Sequence, residues 1–173
     1  MLKRIVIATD GSPQSQRAVR LGSAIAGRFD AEVVLVHALV TEPSEQEATA
    51  MGQVAHELGP QAFAPMHMDD LVRTMQERAE SSPTGKRQEA LDTFGRSLLE
   101  HAAGAARDEG AEVAATELLH GDAGRAIAEA VEARGADLVV LGTRGLGGIR
   151  SQLLGSVSRY VRTHVDADCL TVR

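Results

Sequence analysis

Aromatic side chains are scarce in this sequence, which has no tryptophan, one tyrosine and three phenylalanines. Proteins that bind single-stranded nucleic acids stack the bases on aromatic rings, and quaternary ammonium ligands sit in aromatic cages. Neither kind of recognition can dominate here. The formal net charge of −6 also argues against a nucleic-acid-binding surface, which needs a basic patch. We therefore expect no nucleic-acid partner.

Cysteine and clustered metal ligands are also lacking. Cys169 stands alone, so no disulfide can form within the chain and no cysteine-based metal site is available. The six histidines are scattered and include no pair spaced four residues apart, as a helical zinc site would require. The sequence therefore predicts no metal site built from protein ligands.

No apolar run approaches the roughly 20 residues that a membrane-spanning helix requires. The amino-terminal residues Met1 to Arg4 lead directly into a short apolar strand and do not resemble a signal peptide. We therefore expect a cytoplasmic chain without membrane insertion. Its length of 173 residues fits one domain, residues 1–173, with a substantial core.

Apolar strand-like runs alternate with helical patterns along the chain. Strands are predicted at about 2–9, 32–39, 112–119, 136–141 and 169–173, with helices at about 13–30, 86–109, 122–135 and 156–164. The apolar runs are mostly continuous, which is typical of strands that helices cover on both faces. This order predicts an α/β fold with an open, doubly wound, five-stranded parallel sheet.

The first helix has clear local signals. Ser12 is predicted to cap its amino terminus, and Pro13 suits the first helical position. Apolar residues then recur at helical spacing, which predicts a buried stripe. The stripe contains Ala18, Leu21, Ile25 and Phe29.

The segment 41–84 follows the second strand and has a weaker pattern, interrupted by four prolines. Two short helices are predicted, at about 44–57 and 67–80. Because compact domains seldom contain structureless loops of this length, we expect a helical insertion. Three roles remain open for it: a lid over a ligand, a subunit interface, or an extra layer beside the helix at 86–109.

The stretch from Leu141 to Ser158 contains the densest group of glycines. They are Gly142, Gly145, Gly147, Gly148 and Gly155. Glycines at this density indicate a backbone that approaches something closely or adopts positive φ angles. Gly155 and Ser156 lie where the last helix is predicted to begin, and the free N–H groups of a helix start favour an anion. The stretch therefore predicts a phosphate-binding site.

Two familiar phosphate loops do not fit this spacing. The Walker loop needs a lysine directly before its serine or threonine, but Ser156 follows Leu154 and Gly155. The dinucleotide fingerprint needs a third glycine where Arg150 stands. The spacing Gly142-x2-Gly145-x9-Gly155-Ser156 instead resembles the ATP-binding signature of the universal stress protein family and matches it at every position. The alternative is a glycine-rich connection that binds no ligand.

The resemblance implies a strand order of 3-2-1-4-5, the arrangement of adenine nucleotide alpha hydrolase-like proteins. Strands one and four then lie side by side, and ligands of open parallel sheets bind where the winding reverses. Asp10 ends the first strand and Gly142 ends the fourth. The two sequence motifs are therefore expected to meet at one crevice.

The resemblance also implies a set of nucleotide-binding residues. They are Ala8, Thr9, Asp10, Ala38, Leu141, Gly142, Arg144, Gly145, Gly155, Ser156, Val157 and Ser158. The Asp10 carboxylate would lie beside the nucleoside, unless it only bonds its own turn backbone. Ser156 and Ser158 would contact phosphates, and simple capping of the helix by Ser156 is the alternative.

Four positions near the predicted crevice carry an expectation of their own. Ala38 would contact adenine through its backbone, as the resemblance implies. Arg144 and Arg150 could meet the phosphate charge or remain solvated surface residues. His37 is interpreted as a satisfied core or rim residue and not as a catalyst.

The resemblance implies an ATP-binding regulatory protein of the stress response, with little or no turnover and no catalytic residues. The expected ligand is ATP, with or without Mg²⁺, and the expected assembly is a homodimer, with an unidentified protein partner left open. The alternatives are a slow ATPase or self-phosphorylating enzyme, and a relative that binds another adenosine compound or none. The segment 165–168 lacks the family's usual proline before the last strand, which leaves the dimer geometry open.

Overall fold

The computed structural model describes residues 1–40, 42–63, 70, 72–74, 84–146 and 155–173. In chain order they form β1 (Arg4–Ala8), α1 (Pro13–Phe29), β2 (Glu32–Ala38), α2 (Glu45–Leu58), a 3-10 turn (Pro60–Phe63), α3 (Thr84–Asp108), β3 (Glu112–Leu119), α4 (Ala123–Arg134), β4 (Leu138–Gly142), α5 (Ser156–His164) and β5 (Asp168–Val172). Most of the helix predicted at 67–80, together with Gly147, Gly148 and Arg150, lies outside the described residues.

The five strands form one parallel sheet in the order β3-β2-β1-β4-β5. Ile5 of β1 pairs with Val33 on one side and with Leu138 on the other. This confirms the predicted fold class and strand order. The winding of the sheet reverses between β1 and β4. The connections that leave the carboxyl ends of these two strands therefore run to opposite faces of the sheet, and a crevice lies between them.

Helices cover both faces of the sheet. Because side chains alternate across a strand, Ile5 and Ile7 pack with α1 and α3, while Val6 and Ala8 pack with α4 and α5. The burial of both faces explains why the central strands appear in the sequence as continuous apolar runs. No helix in the described part of the chain is long and apolar enough to cross a membrane.

The start of α1 is as predicted, but its buried face is not. Ser12 Oγ accepts a hydrogen bond from the Ser15 N–H, and the helix ends at Phe29. The predicted stripe is wrong for Leu21, which is 44% exposed, and for Phe29, which is 61% exposed. Small residues form the buried face: Ser15, Ala18, Val19, Gly22, Ser23 and Ala26. A Cβ on Gly22 would lie 2.7 Å from Ile7 Cδ1, so the helix packs too closely on the sheet for large side chains.

The first half of the insertion forms the predicted helix, α2. Ser44 caps it in a capping box, in which the Ser44 side chain accepts from the Glu47 N–H and the Glu47 carboxylate accepts from the Ser44 N–H. Its apolar face joins α3 and the end of β2 in a third core cluster. The buried members are Leu39, Met51, Val54, Ala55, Ala90, Leu91, Phe94 and Leu98. The insertion after the second strand therefore adds a helix to the α3 side of the molecule.

Candidate ligand-binding site

A cavity of about 400 Å³ opens at the carboxyl ends of β1 and β4. Small-molecule sites commonly have volumes of about 300–1,000 Å³. All of the residues predicted to bind a nucleotide line it: Ala8, Thr9, Asp10, Ala38, Leu141, Gly142, Arg144, Gly145, Gly155, Ser156, Val157 and Ser158. The structure therefore brings the motifs after β1, β2 and β4 to one place.

The cavity also has lining residues that the sequence reasoning missed. They are Ser15, His37, Val40, Glu47, Met51, Phe94, Ala123, Ile127, Thr143 and Leu146. Thr143 and Leu146 lie inside the glycine-rich stretch, beside the positions of the signature, while Glu47, Met51, Phe94, Ala123 and Ile127 lie on α2, α3 and α4. No local motif marks the helical positions, because only the packing of distant helices brings them to the sheet edge.

Asp10 joins the loops that follow β1 and β4. Its Oδ1 accepts a hydrogen bond from the Ser12 N–H at 3.0 Å, and its Oδ2 accepts one from the Leu146 N–H at 2.8 Å. Ser12 Oγ adds a second link by donating to the Arg144 carbonyl at 3.4 Å. The Asp10 carboxylate thus has the turn-forming role that was weighed as an alternative, and it fixes the two walls of the crevice relative to each other.

Two of the signature glycines are explained by close packing. A Cβ on Gly142 would lie 3.0 Å from the Ser15 nitrogen and 3.1 Å from the Arg144 carbonyl oxygen. A Cβ on Gly145 would clash with Asp10 Oδ2. A side chain would therefore press on the first turn of α1 at position 142 and on the Asp10 carboxylate at position 145.

Gly155 is different from these two glycines. Among the described residues, the nearest atom to a Cβ there would be the Thr143 carbonyl oxygen at 3.4 Å, which is an ordinary contact. Its φ of −66° is open to any residue. The Gly155 N–H donates to the Thr143 carbonyl at 2.7 Å and so closes the glycine loop at its base. The described part of the fold does not itself require a glycine at this position.

The amino terminus of α5 lies at the cavity and has no side-chain cap. Gly155 is the N-cap residue and Ser156 is the first helical residue, so capping by Ser156 is wrong. By contrast, α1, α2 and α4 each have a side-chain cap, supplied by Ser12, Ser44 and Asp122. The first N–H groups of a helix have no acceptor within the helix, and the helix dipole makes this end positive. The uncapped end can therefore bind an anion in the cavity.

The charged side chains that line the described part of the cavity are Asp10, Glu47 and Arg144. The Glu47 Oε2 accepts from both the N–H and the hydroxyl of Ser44, at 2.9 and 2.7 Å. Across the described ranges, no group of three His, Cys, Asp or Glu residues could hold a metal ion.

His37 is buried in the wall of the cavity and is satisfied at one nitrogen. Its Nδ1 lies 2.8 Å from the Thr9 carbonyl oxygen, and its ring meets the Phe94 ring edge-on at 6.1 Å. Burial lowers the pKa of His37, although the Thr9 carbonyl and the Asp10 charge partly oppose this effect. Within the part of the chain that the structure describes, no group forms a hydrogen bond with Nε2. The interpretation of His37 as a core or rim residue is therefore correct for its burial and incomplete for its hydrogen bonding.

Comparison with known proteins identifies the same family that the glycine signature resembles. The model of the universal stress protein family matches residues 1–173. A universal stress protein of Thermus aquaticus is 30% identical over 173 residues, which cover both chains completely. A solved universal stress protein in complex with cAMP is similar with a TM-score of 0.62 and 24% identity, over 99% of this chain and 97% of that one.

A second solved structure is the universal stress protein from Archaeoglobus fulgidus in complex with dAMP. It is similar with a TM-score of 0.57 and 17% identity, over 100% of this chain and 98% of that one. These likenesses agree with the strand order seen here. Because the family model matches the whole chain, the protein belongs to the universal stress protein family.

Proposed function

We propose that this protein is an ATP-binding regulatory module of the stress response, with little or no turnover. The observation that carries the proposal is the uncapped amino terminus of α5 at Gly155, on the edge of a cavity of about 400 Å³. An uncapped helix start favours phosphate, because its N–H groups and the helix dipole both attract negative charge.

The glycine at position 155 supports a close approach of phosphate. The described residues leave room for a Cβ there, and the backbone conformation is an ordinary one. A ligand that packs against the Gly155 backbone would supply the reason for the missing side chain. Ser156 and Ser158, in the first turn of α5, also line the cavity and can offer hydroxyl groups to phosphate oxygens.

Part of the cavity lining is apolar and suits a nucleobase. It includes Ala38 at the end of β2, Val40 just after it, and Met51, Phe94 and Ile127 on the surrounding helices. A purine ring buries apolar surface in such a site, while a few polar groups fix its orientation. The solved relatives in complex with cAMP and dAMP bind adenine nucleotides, which favours the same base here.

A binding function is favoured over catalysis by the state of the acid–base groups. Phosphoryl transfer needs a base or a group that orients the attacking water. Asp10 bonds two backbone N–H groups, Glu47 bonds Ser44, and His37 bonds the Thr9 carbonyl. Because these three acid–base groups already have structural roles, binding with little or no turnover is the leading proposal, and a slow ATPase is the alternative.

The proposed assembly is a cytoplasmic homodimer, in which β5 provides the contact. This strand lies at one edge of the sheet, where a second copy could extend it. Asp166 precedes the strand and Asp168 begins it, so each copy brings two carboxylates to the contact. Light scattering after size-exclusion chromatography tests this part, and a monomer at high concentration would refute it.

Calorimetric titration tests the proposed function. Wild-type protein should bind ATP, and Gly155→Val should weaken binding at least tenfold by placing a side chain where the phosphates lie. Gly104→Val is the matched control, because a Cβ on Gly104 meets nothing within 4 Å and the residue does not line the cavity. Equal affinity in Gly155→Val and wild type would contradict the assignment.

The same titration, repeated with AMP and cAMP, tests the choice of ATP. Tighter binding of ATP would show that the β- and γ-phosphates contribute, as α5 and its loop suggest. If AMP or cAMP binds as tightly as ATP, the proposal of an ATP-specific module is refuted, and the site belongs to another adenosine compound.

A further inference from the structure

A smaller cavity lies beside the turn after β1, apart from the proposed nucleotide site. It has a volume of about 220 Å³ and is bounded by α1, α2 and α3. Among the described residues, Thr9 is the one lining residue that the two cavities share. Val54 of α2 packs tightly on the turn, since a Cβ on Gly11 would lie 2.6 Å from Val54 Cγ1. The smaller cavity therefore has walls of its own, and the proposed nucleotide site does not account for them.

The lining of this smaller cavity has an apolar floor and an ionisable rim. Buried apolar side chains from all three helices form the floor: Val19, Val54, Leu98 and Ala102. The rim is exposed, and each helix supplies one ionisable side chain to it: Arg20, Glu57 and His101. Small-molecule sites commonly combine apolar walls with a few polar groups that orient the ligand. A ligand that fits here has an apolar body and polar groups at one end.

The rim carries charges of both signs. Within the described ranges, neither Arg20 nor Glu57 forms an ion pair with another side chain. A guanidinium group binds a carboxylate well, and a carboxylate accepts hydrogen bonds from an ammonium group. Gln16, on the same rim, donates from Nε2 to the Gly11 carbonyl at 2.9 Å, which leaves its Oε1 to accept from an ammonium group as well. The rim therefore suits a zwitterion better than a ligand of one charge.

The volume of the cavity limits the size of the apolar body. An engineered apolar cavity of about 150 Å³ holds one benzene molecule. In proportion, a cavity of about 220 Å³ has room for roughly nine non-hydrogen atoms. Leucine and methionine are of this size, and both combine an aliphatic side chain with a zwitterionic head group.

We propose that the cavity between α1, α2 and α3 binds a free α-amino acid with an aliphatic side chain, such as leucine. The side chain fills the apolar floor, the carboxylate pairs with Arg20, and the ammonium group pairs with Glu57. Because the rim is exposed, each ion pair contributes modestly, and the Kd should be on the order of 1 mM. The inference concerns a site separate from the nucleotide cavity and does not rest on the proposed function.

A titration of the wild-type protein with leucine, followed by ¹H–¹⁵N NMR, tests the site. The amide shifts of Val54, Leu98 and Ala102 should change and saturate together. Two analogues divide the head group, since 4-methylpentanoate lacks the ammonium group and 3-methylbutylamine lacks the carboxylate. Each analogue should bind at least about fivefold more weakly than leucine, the effect of one exposed ion pair.

Variants of the rim assign the two charges. Glu57→Gln should weaken leucine binding about fivefold without weakening that of 4-methylpentanoate, and Arg20→Gln should weaken leucine binding about fivefold without weakening that of 3-methylbutylamine. Arg28→Gln is the matched control, because Arg28 is an exposed arginine of α1 that lines neither cavity. It should leave all three affinities within about twofold of the wild-type values.

A larger side chain at the floor tests the position of the ligand. Ala105 lines the cavity, so Ala105→Phe should fill it and abolish leucine binding. Gly104→Phe adds a ring one residue earlier on α3, where a Cβ meets nothing within 4 Å, and should bind leucine as the wild type does.

Unchanged amide shifts at about 20 mM leucine would overturn the proposal. Equal affinities of the wild type for leucine and 4-methylpentanoate would do so too, because the rim would then not recognise a zwitterion. Shifts centred on Gly155 and Ser156 would place leucine in the larger cavity and contradict the assigned site. If a variant does not fold, the comparison of the three ligands on the wild-type protein decides. Failure of the wild type to bind ATP would refute the proposed function and leave this inference standing.

Discussion

Gly145→Ala should destabilise the unliganded protein, although it adds a single methyl group to the loop after β4. The new Cβ would clash with Asp10 Oδ2, which accepts the Leu146 N–H at 2.8 Å. The carboxylate cannot turn aside freely, because Oδ1 holds the Ser12 N–H at 3.0 Å. The substitution therefore breaks the link between the loops that follow β1 and β4.

The size of the effect follows from the bond that is lost. A hydrogen bond to a charged group contributes about 1.5–3 kcal/mol, and partial exposure of Asp10 favours the lower end. Alanine regains about 0.4–1 kcal/mol by restricting the unfolded chain. The free energy of unfolding should therefore fall by about 0.5–1.5 kcal/mol in Gly145→Ala.

Gly155→Ala is the matched comparison in the same signature. Its Cβ would lie 3.4 Å from the nearest described atom, so no bond must break. The loss of a favourable N-cap residue and the gain from a stiffer unfolded chain are similar in size. The free energy of unfolding should therefore stay within about 0.5 kcal/mol of the wild-type value.

Urea denaturation of both variants, without ligand, measures these differences. If Gly145→Ala is as stable as wild type, the hydrogen bond between Asp10 and Leu146 contributes little to stability. The structural role given to Asp10, which is to join the loops after β1 and β4, would then be refuted. If Gly155→Ala is the less stable of the two, the fold itself requires Gly155. A stability requirement would then explain the glycine at position 155, and no ligand would be needed to explain it.

Three further predictions concern pH, packing and nucleotide binding. Because burial lowers the pKa of His37 in the folded protein, stability should fall as the pH drops below about 6.5, by at most about 1.4 kcal/mol per unit, and urea melts from pH 7 to 5.5 should show a shallower slope in His37→Leu. Phe94→Ala should cost about 3–5 kcal/mol of unfolding free energy, while Phe29→Ser should change it by less than about 0.5 kcal/mol, since Phe94 is fully buried and Phe29 is 61% exposed. Saturating ATP with Mg²⁺ should raise the melting temperature while phosphate release stays near background, and turnover of about 1 per second or faster would favour the enzyme alternative.

Local signals account for the parts of the fold that the sequence predicted. Continuous apolar runs marked the central strands, because both faces of the sheet are covered. Ser12 and Gly135 marked helix ends through capping and positive φ. The buried face of α1 was not predictable in this way. Periodicity selects large apolar residues, but the close contact of Gly22 with Ile7 leaves room for small ones only, so Leu21 faces outward.

The candidate site likewise has residues that local sequence patterns predicted and residues that they did not. The glycine spacing located the loop after β4 because all of its positions lie within one short stretch of sequence. Met51 and Phe94 reach the cavity through the packing of α2 on α3, which no local pattern in the insertion reveals. The hydrogen bond between His37 Nδ1 and the Thr9 carbonyl, just past the end of the neighbouring strand, is a contact that only the folded sheet creates.

The central claim is that an adenine nucleotide binds in the cavity between the ends of β1 and β4. Amide chemical shifts recorded by ¹H–¹⁵N NMR during an ATP titration test it most directly. The largest changes should fall on Asp10, Ala38, Gly155 and Ser156 and saturate together. A second cavity of about 220 Å³ lies between α1, α2 and α3. Changes confined to that cavity, or no changes at saturating ATP, would contradict the account.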